Sequence, residues 1–306
     1  MHARSVGCAR AGRRLCRSPA QSRSLRRRQK EELARTFDFD RETAVRALGD
    51  GRYESRLDRA WWVHRGPNGG YLAAIVLRAL TETVADADRS PRSLTVHYVA
   101  PPAEGALEIA TTIERAGRSL TSCSARLTQD GKLIGLALAA FSKARPGPEF
   151  ADLQPPPAPP PDECEVVEVR TDDPFIPDIA LRWENRIVRG GFPLEATGEA
   201  VITRWIRLPE GRLVDGLVAA AITDAVIPAV FGRVEEQIIV PTVDLTIHFR
   251  SSLPLADAKP DDYVLADFRT NVVAEGFLEE DGQIWSRDGV LLAQSRQLAA
   301  ILPMPG

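Results

Sequence analysis

Apolar and polar positions fall into two regimes: long stretches that are apolar on almost every side, and shorter runs that alternate. The first long stretch is Gly69–Val84, G-G-Y-L-A-A-I-V-L-R-A-L-T-E-T-V. It follows the turn H-R-G-P-N, in which Asn68 suits the N-cap of a helix. The second is Leu213–Phe231, with Asp215-Gly216 at its entry and Asp215 as a candidate N-cap. A helix hydrophobic on every face belongs inside a protein. Pro228 predicts a kink or an end there. Asp224 is the one ionisable side chain in the middle of the stretch. A carboxylate in such a place is costly unless it is paired, hydrogen-bonded or used.

The alternating runs predict strands. In the first half they are Ser93–Val99, Leu107–Arg115, Ser119–Gln129 and Lys132–Ser142, with Asp130-Gly131 as a hairpin signal. A short helix is expected over Asp40–Leu48. Ala144–Asp162 is proline-rich and predicts a stiff, extended linker. Beyond it, strands are expected at Leu181–Val188, Ala200–Leu208, Ile238–Arg250, Tyr263–Val273, Ala274–Glu280 and Val290–Leu302.

The second half echoes the first. S-L-T-V-H-Y (Ser93–Tyr98) matches D-L-T-I-H-F (Asp244–Phe249) 151 residues later, and D-G-K-L-I-G-L-A (Asp130–Ala137) matches D-G-V-L-L-A-Q-S (Asp288–Ser295) in the same order. Both echoes follow an apolar helix, which points to duplication of one helix-plus-antiparallel-sheet unit. The expectation is an α+β chain with a basic extension over residues 1–35, units at 36–143 and 165–306, and a linker at 144–164. The repeat offset sets Ala73 opposite Asp224.

Composition narrows the function. Of 306 residues, 44% are apolar and 26% charged, ordinary for a globular protein. Residues 1–30 hold nine Arg, one Lys and no acid, so the rest carries 29 bases against 42 acids, a net −13. An acidic body argues against nucleic acid as the main partner. The extension resembles a transit peptide in composition. A targeting peptide, a basic binding arm and an extension from an early start site remain open, all outside the fold. Cys8, Cys16, Cys123 and Cys164 form no C-x-x-C pair, which fits a reducing, cytoplasmic setting. No apolar run reaches the roughly 18–20 residues of a membrane span, so no membrane insertion is expected. There is no G-x-S-x-G elbow, phosphate-binding loop, G-x-G-x-x-G or H-E-x-x-H. The histidines show no metal spacing, so neither metal nor cofactor is expected.

Several segments resemble one family, the acyl-CoA thioesterase II type. They are Gly66–Ile75 (G-P-N-G-G-Y-L-A-A-I), Ser93–Pro102, Thr223–Val230 (T-D-A-V-I-P-A-V), Pro241–Arg250 and Asp288–Gln297. The resemblance covers about Ala60 to Leu302 except the linker. It implies a double hotdog fold and hydrolysis of an acyl-CoA substrate to free acid and CoA. It places the water-activating trio on Asp224, Thr242 and Gln297. A carboxylate can take a proton from water attacking a thioester, and Thr and Gln can orient that water. Unpaired N–H groups at the start of the first helix, around Gly69, Gly70 and Tyr71, can receive the oxyanion. A homo-oligomer is an open expectation.

Each residue also has a plainer role. Asp224 could be a hydrogen-bonded buried acid, Gln297 a structural strand residue, and Gly69–Gly70 a tight turn. Gln297 shares parity with Leu291, Ala293, Ser295 and Ala299, which turns it towards the helix. Thr242 shares parity with polar Asp244, Thr246 and His248. It reaches the helix side only if it precedes the strand proper or sits at a bulge. Trp61 and Trp62 read as core or pocket wall, and His64 as surface. Two alternatives stand beside hydrolysis: an acyl-CoA or apolar-ligand binder without turnover, and a hydratase in which Asp244 and His248 line the pocket.

Overall fold

A computed structural model of the chain describes residues 38–169, 176–191, 197–236 and 238–304. The basic extension lies outside the described residues. The first half runs α1 (Phe39–Glu42), β1 (Val45–Gly49), β2 (Arg52–Leu57), α2 (Gly69–Val84), β3 (Ser90–Tyr98), β4 (Gly105–Ala116), β5 (Leu120–Gln129) and β6 (Lys132–Ser142). The second runs β7 (Glu165–Val166), β8 (Glu184–Arg189), β9 (Val201–Arg207), α3 (Gly216–Ile222), β10 (Ile238–Ile239), β11 (Thr242–Phe249), β12 (Val264–Arg269), β13 (Val273–Ala274), β14 (Phe277–Trp285), β15 (Leu291–Ala300) and β16 (Leu302–Pro303).

The strands form one antiparallel sheet in the order β1-β2-β4-β5-β6-β3-β11-β15-β14-β12-β9-β8-β7, with β13 on β14 and a separate β10–β16 pair. The inward faces of its strands bury α2, whose residues from Gly70 to Leu77 are all buried. The halves join where β3 pairs β11. There Thr95 lies opposite Thr246, its own counterpart in the repeat, with the two Oγ1 atoms 3.1 Å apart. On either side Leu94 faces Ile247 and Val96 faces Leu245. A local two-fold axis therefore passes through the Thr95–Thr246 pair. The second echo obeys it too: Thr95 pairs Leu138 on β6, and Thr246 pairs Arg296 on β15.

Local signals explain the element ends. Asn68 Oδ1 accepts from Tyr71 N–H at 3.0 Å and caps α2. Asp215 Oδ1 accepts from Leu217 N–H (2.9 Å) and Val218 N–H (3.0 Å) and caps α3. Asp130 and Gly131 close the β5–β6 hairpin with φ of 50° and 75°. Two positive φ values define the turn whose twist matches the strands, and glycine adopts one without strain.

Four expectations change. The helix expected over Leu213–Phe231 ends at Ile222, and Ala229–Gly232 after Pro228 is a 3₁₀ turn. The Thr223 hydroxyl takes the Ala220 carbonyl at 2.7 Å, and the Asp224 carbonyl accepts from Asn68 Nδ2 at 2.5 Å. These bonds draw the chain out of the helix. The helix expected over Asp40–Leu48 is the single turn α1 followed by β1. Residues 181 and 182 of the first expected second-half strand belong to the 3₁₀ turn Asp178–Arg182. The strand expected at Ala274–Glu280 is β14, three residues later.

The proline-rich linker is extended, and it is also anchored. Trp205 Nε1 donates to the Pro159 carbonyl at 2.8 Å and Arg186 to that of Pro161 at 3.1 Å. Ala158 and Cys164 pack against Trp205, Tyr263, Leu265 and Trp285. Trp205, Leu265 and Trp285 form one cross-strand row. The corresponding first-half row is Glu54, Glu108 and Thr128, which needs no cover.

Candidate active site

The site forms where the start of α2 meets the end of α3. Gly70 has no Cβ, and the Ala221 carbonyl of α3 occupies the space one would fill. Glycine here permits backbone-to-backbone approach of the two helices. The closeness carries Asp224, two residues beyond α3, to the N-terminus of α2. Asp224 Oδ2 accepts from Gly70 N–H at 3.2 Å and Asn68 Nδ2 at 2.8 Å. Asn68 thus caps its own helix with its oxygen and holds the other half's acid with its nitrogen. Tyr98 Oη donates to the Gly69 carbonyl at 2.7 Å and closes the same corner.

Asp224 keeps part of its surface open, while protein packs around the carboxylate on its other sides. That burial pushes its pKa up to about 6, against the lowering effect of the Gly70 and Gly69 N–H groups and Asn68. A base poised near neutrality with an open edge is suited to taking a proton from a small molecule.

A second polar group comes from the sheet. Thr242 Oγ1 donates to Gln297 Oε1 at 2.9 Å, and Gln297 Nε2 donates to Glu280 Oε1 at 2.8 Å. Thr242 is the first residue of β11, and the register shifts between Thr242 and Asp244. This bulge pairs Thr242 with Ala299, on the Gln297 side, and removes the parity conflict. Gln297 is 4% exposed.

Thr242 and Gln297 are therefore in direct contact, and Asp224 sits at the glycine corner of α2. Tyr71 needs a correction. Its N–H is already donated to Asn68, and its ring stacks on Trp61 at 4.9 Å in the core. It offers no free donor. Trp61 and Trp62 are core residues, and His64 is exposed. Asp244 and His248 lie on the face of β11 opposite buried Leu245 and Ile247, with His248 exposed, so they do not share the inward row of that strand.

Three residues were missed from the sequence. In the sequence Asn68 signals only a helix cap. The Tyr98 hydroxyl is the single difference between the echo's final Tyr and Phe. Glu280 shares inward parity with Leu278 and Ile284, so an acid in that row was the available signal. A cavity of about 400 Å³ lies elsewhere, with Val214, Leu253, Leu255, Val264 and Leu292 in its wall. Neither Asp224 nor Gln297 lines it. Among the described residues, no group of three or more His, Cys, Asp or Glu could hold a metal ion. No described helix is long and apolar enough to cross a membrane.

The sequence profile of the acyl-CoA thioesterase N-terminal domain matches residues 58–142, and that of the C-terminal domain matches residues 157–301. The chain belongs to the acyl-CoA thioesterase family. Solved structures agree on the fold, a double hotdog. A conserved protein of unknown function with a hot dog fold from Alicyclobacillus acidocaldarius is 25% identical with a TM-score of 0.79, covering 89% of this chain and 100% of its own. A candidate thioesterase II from Thermobifida fusca YX is 28% identical with a TM-score of 0.74, covering 86% and 97%. The acyl-CoA thioesterase II TesB2 from Mycobacterium marinum is 19% identical with a TM-score of 0.70, covering 88% and 100%. Comparison with curated proteins found no match.

Proposed function

We propose that this thioesterase-family protein hydrolyses acyl-CoA thioesters to free acid and CoA, with Asp224 as the general base acting on water. The observation that carries the reading is the Asp224 carboxylate on the amide groups of the other half's helix, its pKa raised to about 6.

The hydrogen-bond inventory supports one orientation for that water. The Thr242 proton is engaged by Gln297 Oε1, so Thr242 Oγ1 offers lone pairs to the site. One Gln297 N–H is engaged by Glu280, and the other is left to donate. A water that donates to Asp224 and Thr242 and accepts from Gln297 keeps one lone pair for the thioester carbon. As the water attacks, its proton passes to Asp224 and the carbonyl oxygen gains negative charge. A protonated carboxyl is a weaker acceptor than a carboxylate. The Gly70 and Gly69 N–H groups that face Asp224 then turn to the oxyanion, aided by the positive end of α2. Collapse of the tetrahedral intermediate breaks the carbon–sulfur bond, and the departing CoA thiolate takes up the proton from Asp224 as the acid is released.

The test is a thiol-release assay over an acyl-CoA chain-length panel, wild type beside Asp224→Asn. Turnover that Asp224→Asn abolishes supports the reading, and equal rates sink it. Binding without turnover across the panel assigns the binding role instead.

A further inference from the structure

Glu280 stands outside the trio the family resemblance supplies. It is 4% exposed, in the middle of β14, and pairs directly across from Gln297. Its Oε2 accepts from Ala229 N–H at 2.5 Å, with the Thr270 hydroxyl at 3.5 Å, and its Oε1 accepts from Gln297 at 2.8 Å. A backbone N–H can only donate, so Oε2 is an acceptor in every protonation state.

Resting on the hydrolysis reading, we propose that Glu280 is a positioning residue: as a carboxylate it fixes which end of the Gln297 amide faces Thr242, and so the hydrogen-bond polarity offered to the attacking water. The alternative network shows why its charge matters. With a proton on Oε1, Glu280 donates, and the Gln297 amide turns over to present its oxygen. Gln297 Nε2 then faces Thr242, whose own proton is pushed into the site. The water then meets a donor at Thr242 and an acceptor at Gln297, so the polarity it is offered is reversed at both groups.

The groups facing Glu280 are few. Gln297 from β15, Thr270 beyond β12 and Ala229 before β10 are neutral, and Asp224 is the charged group that reaches it. Burial, with the Asp224 charge adding to it, pushes the Glu280 pKa up to about 7, so the switch in polarity falls in an accessible range.

The experiment is the pH dependence of kcat for thioester hydrolysis. In the wild type, two ionisations must be complete, so log kcat falls with a limiting slope of about two below roughly pH 6. In Glu280→Gln the slope becomes about one, kcat at neutral pH falls on the order of tenfold, and KM changes less than about twofold. A variant with wild-type kcat and a slope of two overturns the proposal. Because a buried substitution can impair folding, Gln297→Ala supplies a second test with Glu280 intact. Removing the amide uncouples Glu280 from the rate, so the slope again becomes about one, and a retained slope of two overturns the proposal. Asp224→Asn separates the two levels. If it is inactive while Glu280→Gln is unchanged, only the Glu280 role fails; if it turns over normally, the hydrolysis reading fails.

Discussion

A Cβ added to Gly69, at the start of α2, would lie 2.9 Å from Asp224 Oδ2 and 3.1 Å from Tyr98 Oη. One added to Gly216, at the start of α3, would lie 3.8 Å from Leu77 Cδ2 and 3.9 Å from Phe249 Cε1. The local two-fold makes these corners counterparts, and the correspondence extends outward. Gln297 pairs Leu245 and Glu280, while Ala139 pairs Leu94 and Cys123. The bulge after Thr242 has its twin after Pro91. The caps differ as well. Asn68 has a nitrogen to offer Asp224. Asp215 can only accept, and it binds its own helix and Arg212, the latter at 2.8 Å. One frame thus holds acids, hydroxyls and amide, and the other holds Leu, Ala, Pro and a Cys thiol at the matching positions. Buried polar groups are stable as a complete set, so a duplicated site either keeps all of them or loses them together.

The strongest way to break the comparison is Asp224→Asn. It is expected to lower kcat by on the order of a thousandfold with little change in KM. It should also stabilise the protein at neutral pH. The folded-state pKa of Asp224, about 6, lies above the ordinary 3.8, so the folded chain binds the proton more tightly. The associated stability is fully present below 3.8 and lost as pH rises through 6. Asparagine escapes that loss, a gain on the order of 2 kcal/mol above neutrality once the open edge of the side chain is discounted. Urea midpoints of both proteins at acid and alkaline pH check this, and a gain that persists at acid pH contradicts it.

Leu77→Asp tests the converse. Leu77 is buried in the core beside the Gly216 corner, so an acid there is desolvated at a cost of about 3 kcal/mol or more. Combined with Asp224→Asn, it should restore no hydrolysis. Recovery of turnover would mean that the second corner retains a working frame.

Residue chemistry made much of this frame legible. Asn68 and Asp215 were readable as caps because their side chains accept backbone N–H groups locally. The repeat was readable because β3 and β11 carry inward Leu-Val-Tyr and Leu-Ile-Phe on the same period. Parity alone demanded that Thr242 precede its strand or lie at a bulge, and it lies at a bulge, as the first residue of β11. What escaped depends on distant contacts. Residues 223–231 are mostly apolar like α3, and the bond from Asn68, more than 150 residues away, joins the local Thr223 bond in drawing Asp224 out of the helix. That changes the pairing of the copies. The strand offset sets Ala73 opposite Asp224, whereas the caps and the Gly216 contact set Leu77 there. Glu280 escaped because placing β14 early hid the inward parity of its acid. The packed linker escaped because proline content predicts extension and says nothing of the Trp205–Leu265–Trp285 row beneath it.

Gly69→Ala against Gly216→Ala sharpens the contrast without changing any charge. The first puts a methyl against Asp224 Oδ2 and Tyr98 Oη and must displace the carboxylate. A shift of about 1 Å costs on the order of a hundredfold in kcat. The second meets Pro91 Cγ at 3.2 Å and otherwise only carbon, in the corner without an acid. It should leave kcat within about twofold and cost about 1 kcal/mol of stability. Equal losses in kcat would mean that both corners serve the reaction.

Tyr98→Phe makes the corners most alike for the smallest effect. The hydroxyl donates to the Gly69 carbonyl at 2.7 Å, and Phe249 shows that the fold accepts a bare ring at the counterpart position. The carbonyl is not orphaned by the change, because a first-turn carbonyl also accepts the N–H four residues on, here that of Ala73. The cost is therefore at the low end for a lost hydrogen bond, about 0.5–1 kcal/mol, or roughly 2 °C in melting temperature for a chain of this size. The hydroxyl meets a carbonyl rather than Asp224, so kcat should stay within about threefold. A loss approaching that of Asp224→Asn would place Tyr98 in contact with the reacting groups. The difference between the corners would then lie in the hydroxyl as much as in the acid.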